Sequence, residues 1–172
     1  MSNYQRVFQP GGCYFFTVVT HNRQPLLINP AVIGRLRLAF SHVAKTRPFT
    51  VAAAVVLPDH LHCLWQLPES DADFSTRWRL IKHFVAVGCN QASNTRREKP
   101  IWQRRFWEHL IRDEADWRRH VDYIHYNPVK HGLVKSPSEW SHGTFRRYLQ
   151  DGWYPPDWGA SEPEAVGAMP LD

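Results

Sequence analysis

The strongest constraint on the fold is the segment 49–67. Two apolar runs, Phe49 to Val56 and His60 to Leu67, are separated by little more than Pro58-Asp59. Proline and aspartate form turns, and runs of this length and composition read as strands. The segment is therefore predicted to be an antiparallel hairpin, with Pro58-Asp59 at its turn.

The flanking chain supplies the remaining layers. Tyr14 to Thr20 is rich in aromatic and β-branched residues and reads as a strand. Asn29-Pro30 has the form of a helix start, and Val32, Leu36, Phe40 and Val43 recur at helical spacing to about Lys45, before Pro48 breaks the pattern. Pro68 to Asp73 reads as an acidic loop. Ser75 is the predicted cap of a helix bearing Trp78, Ile81 and Val85 on one side. Asn90 to Pro100 reads as a loop, Trp102 to Ile111 as a fourth strand, and Asp113 to Asn127 as a helix that Pro128 ends. The order strand, helix, strand, strand, helix, strand predicts an α+β, ferredoxin-like split β-α-β domain. Its antiparallel sheet has helices on one face, and an added helix follows the last strand. Residues 1–158 form the predicted domain. Residues 159–172, acidic and without Lys or Arg, are the predicted mobile tail.

Composition narrows the function. Three cysteines without Cys-x-x-Cys spacing exclude a zinc ribbon and point to a reducing compartment. No apolar run is long enough to cross a bilayer, and the first residues lack the apolar centre of a secretory signal, so a cytoplasmic, nucleoid-associated protein is expected. The net charge of +5 favours an anionic partner such as nucleic acid. From Arg77 to Arg105 there are eight Lys or Arg and one acid, Glu98. Arg96, Arg97, Lys99, Arg104 and Arg105 are the candidate phosphate contacts, with Trp102 and Trp107 as candidate stacking surfaces.

Two separated elements carry the chemistry. On a strand, His60 and His62 point the same way while Leu61, Cys63 and Trp65 point to the other face. A pair of imidazoles at i and i+2 is half of a divalent-metal site. On the helix after Asp113, Trp117, Val121 and Ile124 fall on the sheet-facing side. Tyr123 and Asn127 are neighbours at i and i+4 on a flank shared with His120, and Tyr126 is expected to face solvent. A tyrosine hydroxyl can attack a phosphodiester, but at pH 7 it is mostly neutral and needs the phosphate polarised by a positive centre. Asn127 is the candidate third ligand through its amide oxygen.

Taken in order, these segments look familiar. His60-Leu61-His62 resembles the His-hydrophobic-His (HUH) signature of the single-tyrosine relaxase and transposase superfamily. The segment from Tyr123 to Val134 and the segment from Trp102 to His109 resemble motifs of its REP-associated tyrosine transposases. The likeness runs over roughly residues 4 to 158. It implies a ferredoxin-like nuclease using Mg²⁺ or Mn²⁺, with His60 and His62 on the metal, Asn127 as a third polar ligand and Tyr123 as nucleophile. Lys130 lies within the tyrosine motif and joins the candidate DNA contacts. The implied substrate is single-stranded DNA folded into REP-type hairpins, read together with an adjacent tetranucleotide. Cleavage would leave a 5′-phosphotyrosine and a 3′-OH, and the protein would act as a monomer. Two other functions stay open from the residues alone. One is a non-catalytic, repressor-like hairpin-binding protein. The other is a metal hydrolase using activated water, with His109 or His120 completing the ligands. Tyr126 is the next candidate nucleophile.

Overall fold

The computed structural model describes residues 5–89 and 101–169. The elements β1 (Cys13–Val19), α1 (Pro30–Thr46), β2 (Thr50–Val56), β3 (His60–Gln66), α2 (Phe74–Gly88) and β4 (Trp107–Leu110) follow in the predicted order. The strands align as β2-β3-β1-β4, and each neighbouring pair is antiparallel, which is the ferredoxin-like arrangement.

Alternation along the strands gives the sheet two working faces. Tyr14, Phe16 and Val18 of β1 join Leu61, Cys63 and Trp65 of β3 under α1 and α2, where Trp65 stacks on Trp78 at 4.4 Å. Phe15, Leu64, Ala53 and Val55 form the opposite face, covered by the added helix α3 (Glu114–Lys130). A bulge between Val51 and Ala53 keeps β2 in step with both faces. Among the described residues no helix is long and apolar enough to cross a membrane.

Several local expectations change. The cap of α2 is Asp73, not Ser75: its carboxylate accepts from Thr76 N at 2.9 Å, and its own N–H is fixed by Asp71 Oδ1 at 2.7 Å. β4 begins at Trp107 rather than Trp102. Lys82 Nζ donates to the carbonyls of Gln103 (2.6 Å) and Arg104 (3.2 Å), so that stretch is held to α2 instead of extending the ladder. Arg77, counted in the basic stretch, is fully buried. It pairs with Asp71 and donates to the carbonyls of Arg47, Pro48 and Asp73.

The C-terminal third departs most from expectation. Pro128 does not end α3. It has no N–H for the Ile124 carbonyl, yet the ladder resumes with His131 N to Asn127 O at 3.0 Å, and Gly132 (φ +69°) closes the helix. Chain after α3, including a 3₁₀ turn (Pro137–Glu139) and α4 (Phe145–Gln150), then folds back over the sheet and α3. It covers the β2 edge through Val56 N to His142 O (2.8 Å) and Thr144 N to Ala54 O (2.9 Å). The expected mobile tail holds α5 (Glu164–Gly167), whose Val166 is buried in the α3-side core. Val166, with Met169 packed against the same core, docks it. The same covering chain buries Tyr126, which meets Trp158 edge-on at 6.3 Å instead of facing solvent.

Candidate active site

β3 and α3 bring the predicted groups together on the α3 face of the sheet. His60 and His62 lie with ring centroids 4.9 Å apart. The Tyr123 ring stands edge-on to His62 at 5.3 Å. Phe15 of β1 packs beneath, 5.3 Å from His62 and 5.9 Å from Tyr123. The imidazole pair and the phenol thus converge from distant parts of the chain.

Neighbours fix the two imidazoles. Asp59 Oδ1 lies 2.7 Å from His60 Nδ1, and Asp59 Oδ2 accepts from Arg23 Nη1 at 3.2 Å. Burial, reinforced by the neighbouring His62, pushes His60 down to about 4 against the opposing pull of Asp59. His60 is therefore neutral at pH 7. Its Nδ1–H donates to the carboxylate, and its lone pair stays on Nε2. That is the arrangement of a metal-ligating histidine oriented by a carboxylate. His62 Nδ1 shares a hydrogen bond with Thr17 Oγ1 at 2.9 Å.

Asn127 is fully buried, and neither atom of its amide has a hydrogen-bond partner among the described residues. The same holds for His60 Nε2. A buried, unpaired amide is costly, roughly 1–3 kcal/mol. Asn127 lies one helical turn after Tyr123 and one before His131, whose rings meet His62 and His60, so its amide oxygen and His60 Nε2 suit a divalent cation.

Lys130, expected as a DNA contact, reaches back to the tyrosine. Its Nζ donates to Tyr123 Oη at 3.3 Å and sits 4.5 Å from the ring centre. His131 follows at the end of α3, 5.0 Å from His60. Of the other candidate contacts, Arg104 and Arg105 are exposed, while Trp102 is half-buried against the α1/α2 core and joined to Thr20 by a single bridge. Arg96, Arg97 and Lys99 lie outside the described residues. Sequence reasoning missed Asp59, Thr17 and the Lys130 contact. Asp59 was adjacent to the histidine it orients. Thr17 becomes readable once β1 is registered against β3, because the two residues are direct partners.

The family model described as "Transposase IS200 like" matches residues 11–126. A REP-associated tyrosine transposase of Escherichia coli (strain K12) is 49% identical over 158 residues, covering 92% of this chain and 91% of that one. A protein of Haemophilus influenzae is 43% identical over 168 residues, covering 94% and 95%. Among solved structures, a REP-associated tyrosine transposase bound to a REP hairpin superposes with a TM-score of 0.83 at 47% identity, over 96% of both chains. With the fold and nearly the whole length of the chain matched, this protein belongs to the REP-associated tyrosine transposases of the IS200-like transposase family.

Proposed function

We propose that the protein is a metal-dependent single-stranded DNA endonuclease and strand transferase. It binds REP-type hairpins with an adjacent tetranucleotide, as a monomer in the cytoplasm, and cleaves through a covalent 5′-phosphotyrosine. The observation that carries the proposal is the 5.3 Å approach of the Tyr123 ring to His62, beside His60. A solved relative bound to a REP hairpin supports the substrate class.

His60, His62 and Asn127 would hold Mg²⁺ or Mn²⁺, which when bound supplies Lewis-acid polarisation of a phosphate oxygen. Tyr123 Oη forms the new bond to phosphorus as the bond to the 3′-oxygen breaks. The phenol proton is lost to solvent, and the departing 3′-oxygen gains one, leaving a free 3′-OH. Lys130 Nζ, already donating to Oη, offsets the negative charge that builds there. Asp59 and Thr17 keep the imidazoles oriented. Arg104 and Arg105, both exposed, would follow the DNA backbone. The phosphotyrosine conserves the phosphodiester linkage, so a second 3′-OH can reverse the step and rejoin strands.

The test uses a labelled hairpin with a single-stranded flank and Mn²⁺. The wild-type protein should give a labelled band that survives denaturing electrophoresis. Tyr123→Phe should bind the hairpin within threefold of wild type and give no such band, and EDTA should abolish it. A band that persists in Tyr123→Phe would move the nucleophile, with Tyr126 the first place to look.

A further inference from the structure

The β4 edge of the sheet carries a column of rings that the cleavage step does not use. Trp107 lies nearly parallel to His109, with centroids 6.0 Å apart and planes 9° apart. His109 lies nearly parallel to His120, at 4.7 Å and 16°. The inner end is anchored to the start of α3. Asp116 accepts from His109 Nε2 (2.8 Å), from Arg112 N (3.0 Å) and from Arg119 Nη2 (3.3 Å), and His120 Nδ1 is 2.7 Å from the Asp116 carbonyl.

His109, Asp116 and His120 are close enough to share a cation. The carboxylate oxygens, however, already have donors, and two guanidiniums, Arg112 and Arg119, stand on the same acid. A divalent ion would meet like charge there. The cluster acts as a brace that fixes the two imidazoles and, through them, the indole.

The outer end of the column is open. Trp107 is 45% exposed, whereas Trp65 and Trp78 are fully buried. Its position is set by register: Thr17 pairs with His62 on one side and with Trp107 on the other. His62, Thr17 and Trp107 therefore form one row across three strands, with Trp107 two strand spacings, about 10 Å, from His62. Phe15, which packs against both His62 and Tyr123, also meets Trp107 edge-on at 5.8 Å.

We propose that Trp107 is a pre-formed stacking platform for an unpaired nucleobase of the substrate strand, beside the phosphate that Tyr123 attacks. The inference rests on the endonuclease reading above. A base needs a flat, exposed aromatic face, and any of the four bases can use it. A ring braced before binding loses little freedom when a base lands on it. The platform therefore contributes to holding and aligning the strand, and sequence is read elsewhere.

The experiment walks 2-aminopurine through the single-stranded flank of the hairpin substrate. Fluorescence is read with Tyr123→Phe protein, so no cleavage intervenes. One position should be quenched on binding, and adding Trp107→Ala to that protein should remove the quenching. In the cleaving protein, Trp107→Ala should raise KM roughly tenfold, within the range a stacked base contributes, with kcat changed less than threefold. Trp107→Tyr should restore most of the loss. On a substrate abasic at the quenched position, wild type and Trp107→Ala should become equal, which a merely structural role for the indole would not produce. The platform is refuted if no position is quenched, if Trp107→Ala matches wild type on intact substrate, or if its defect persists on the abasic one. The quenching arm needs no chemistry. Failure of the wild-type protein to form an adduct therefore overturns the endonuclease reading separately.

Discussion

The clamp around His125 makes stability fall in acid by an amount that can be worked out. His125 lies on α3, 2% exposed, with Nδ1 2.9 Å from Tyr154 Oη and Nε2 2.8 Å from Thr144 Oγ1. Tyr154 Oη donates onward to Asp122 Oδ1 at 2.8 Å, so the hydroxyl accepts from Nδ1–H, and Nε2 shares a hydrogen bond with Thr144 Oγ1. Burial keeps this imidazole neutral at pH 7. Burial, assisted by Arg147, pushes it down to about 3 from 6.5. The unfolded chain therefore takes up a proton below pH 6.5 that the folded chain refuses. Stability is present in full above 6.5 and is lost as pH falls towards 3. For one such group the loss at pH 5 is about 2 kcal/mol, against about 0.1 kcal/mol at pH 7.5. The assay is urea unfolding of wild type and His125→Gln at both pH values. His125→Gln should be less stable at pH 7.5, and its deficit should shrink by about 2 kcal/mol at pH 5. The imidazole of His60, also pushed down, is common to both proteins and cancels in the difference. A deficit that stays constant within about 0.5 kcal/mol would mean His125 titrates alike in the folded and unfolded chain, contrary to the clamp.

Asn127→Leu should separate metal binding from folding. It replaces an amide without partners by a similar apolar volume, so the melting temperature in EDTA should stay level or rise, while Mn²⁺ affinity by calorimetry should fall at least tenfold. A fall in both would mean that the amide has a structural partner. Arg77→Met strands Asp71 and three backbone carbonyls, and should lower stability by about 3 kcal/mol in urea unfolding. A change within about 0.5 kcal/mol would show that water reaches the site and that the buried guanidinium holds little together.

What the sequence made legible was local and periodic. Alternation along 13–19 and 60–66 assigned each side chain to a face, and so put His60 and His62 together and Trp65 in the core. Helical spacing put Tyr123 on a flank of α3 beside the sheet, and the fold sets it next to His62. What stayed hidden depended on chain arriving from elsewhere. Tyr126 looked solvent-facing because nothing within α3 covers it; the cover comes from Trp158 and its neighbours. Trp102 and Trp107 were equivalent on paper. The carbonyls held by Lys82 separate them, since they delay the start of β4 and leave Trp102 on the core side and Trp107 on the open edge.

The proline shows how one local rule can mislead about the site. Proline inside a helix removes one hydrogen bond, and in isolation that is reason enough to stop at Asn127. Here Pro128 is itself buried, its carbonyl accepts from Leu133 N at 2.9 Å, and the left-handed Gly132 closes the last turn, so tertiary packing offsets the loss. Lys130 lies seven residues after Tyr123, two helical turns on, and returns to the same side of α3 only because the helix survives. Had α3 ended at the proline, Tyr123 would lack the ammonium now 3.3 Å from its oxygen, and His131 would not stand beside His60. The helical turn that propensity argues against is the one that completes the surroundings of Tyr123.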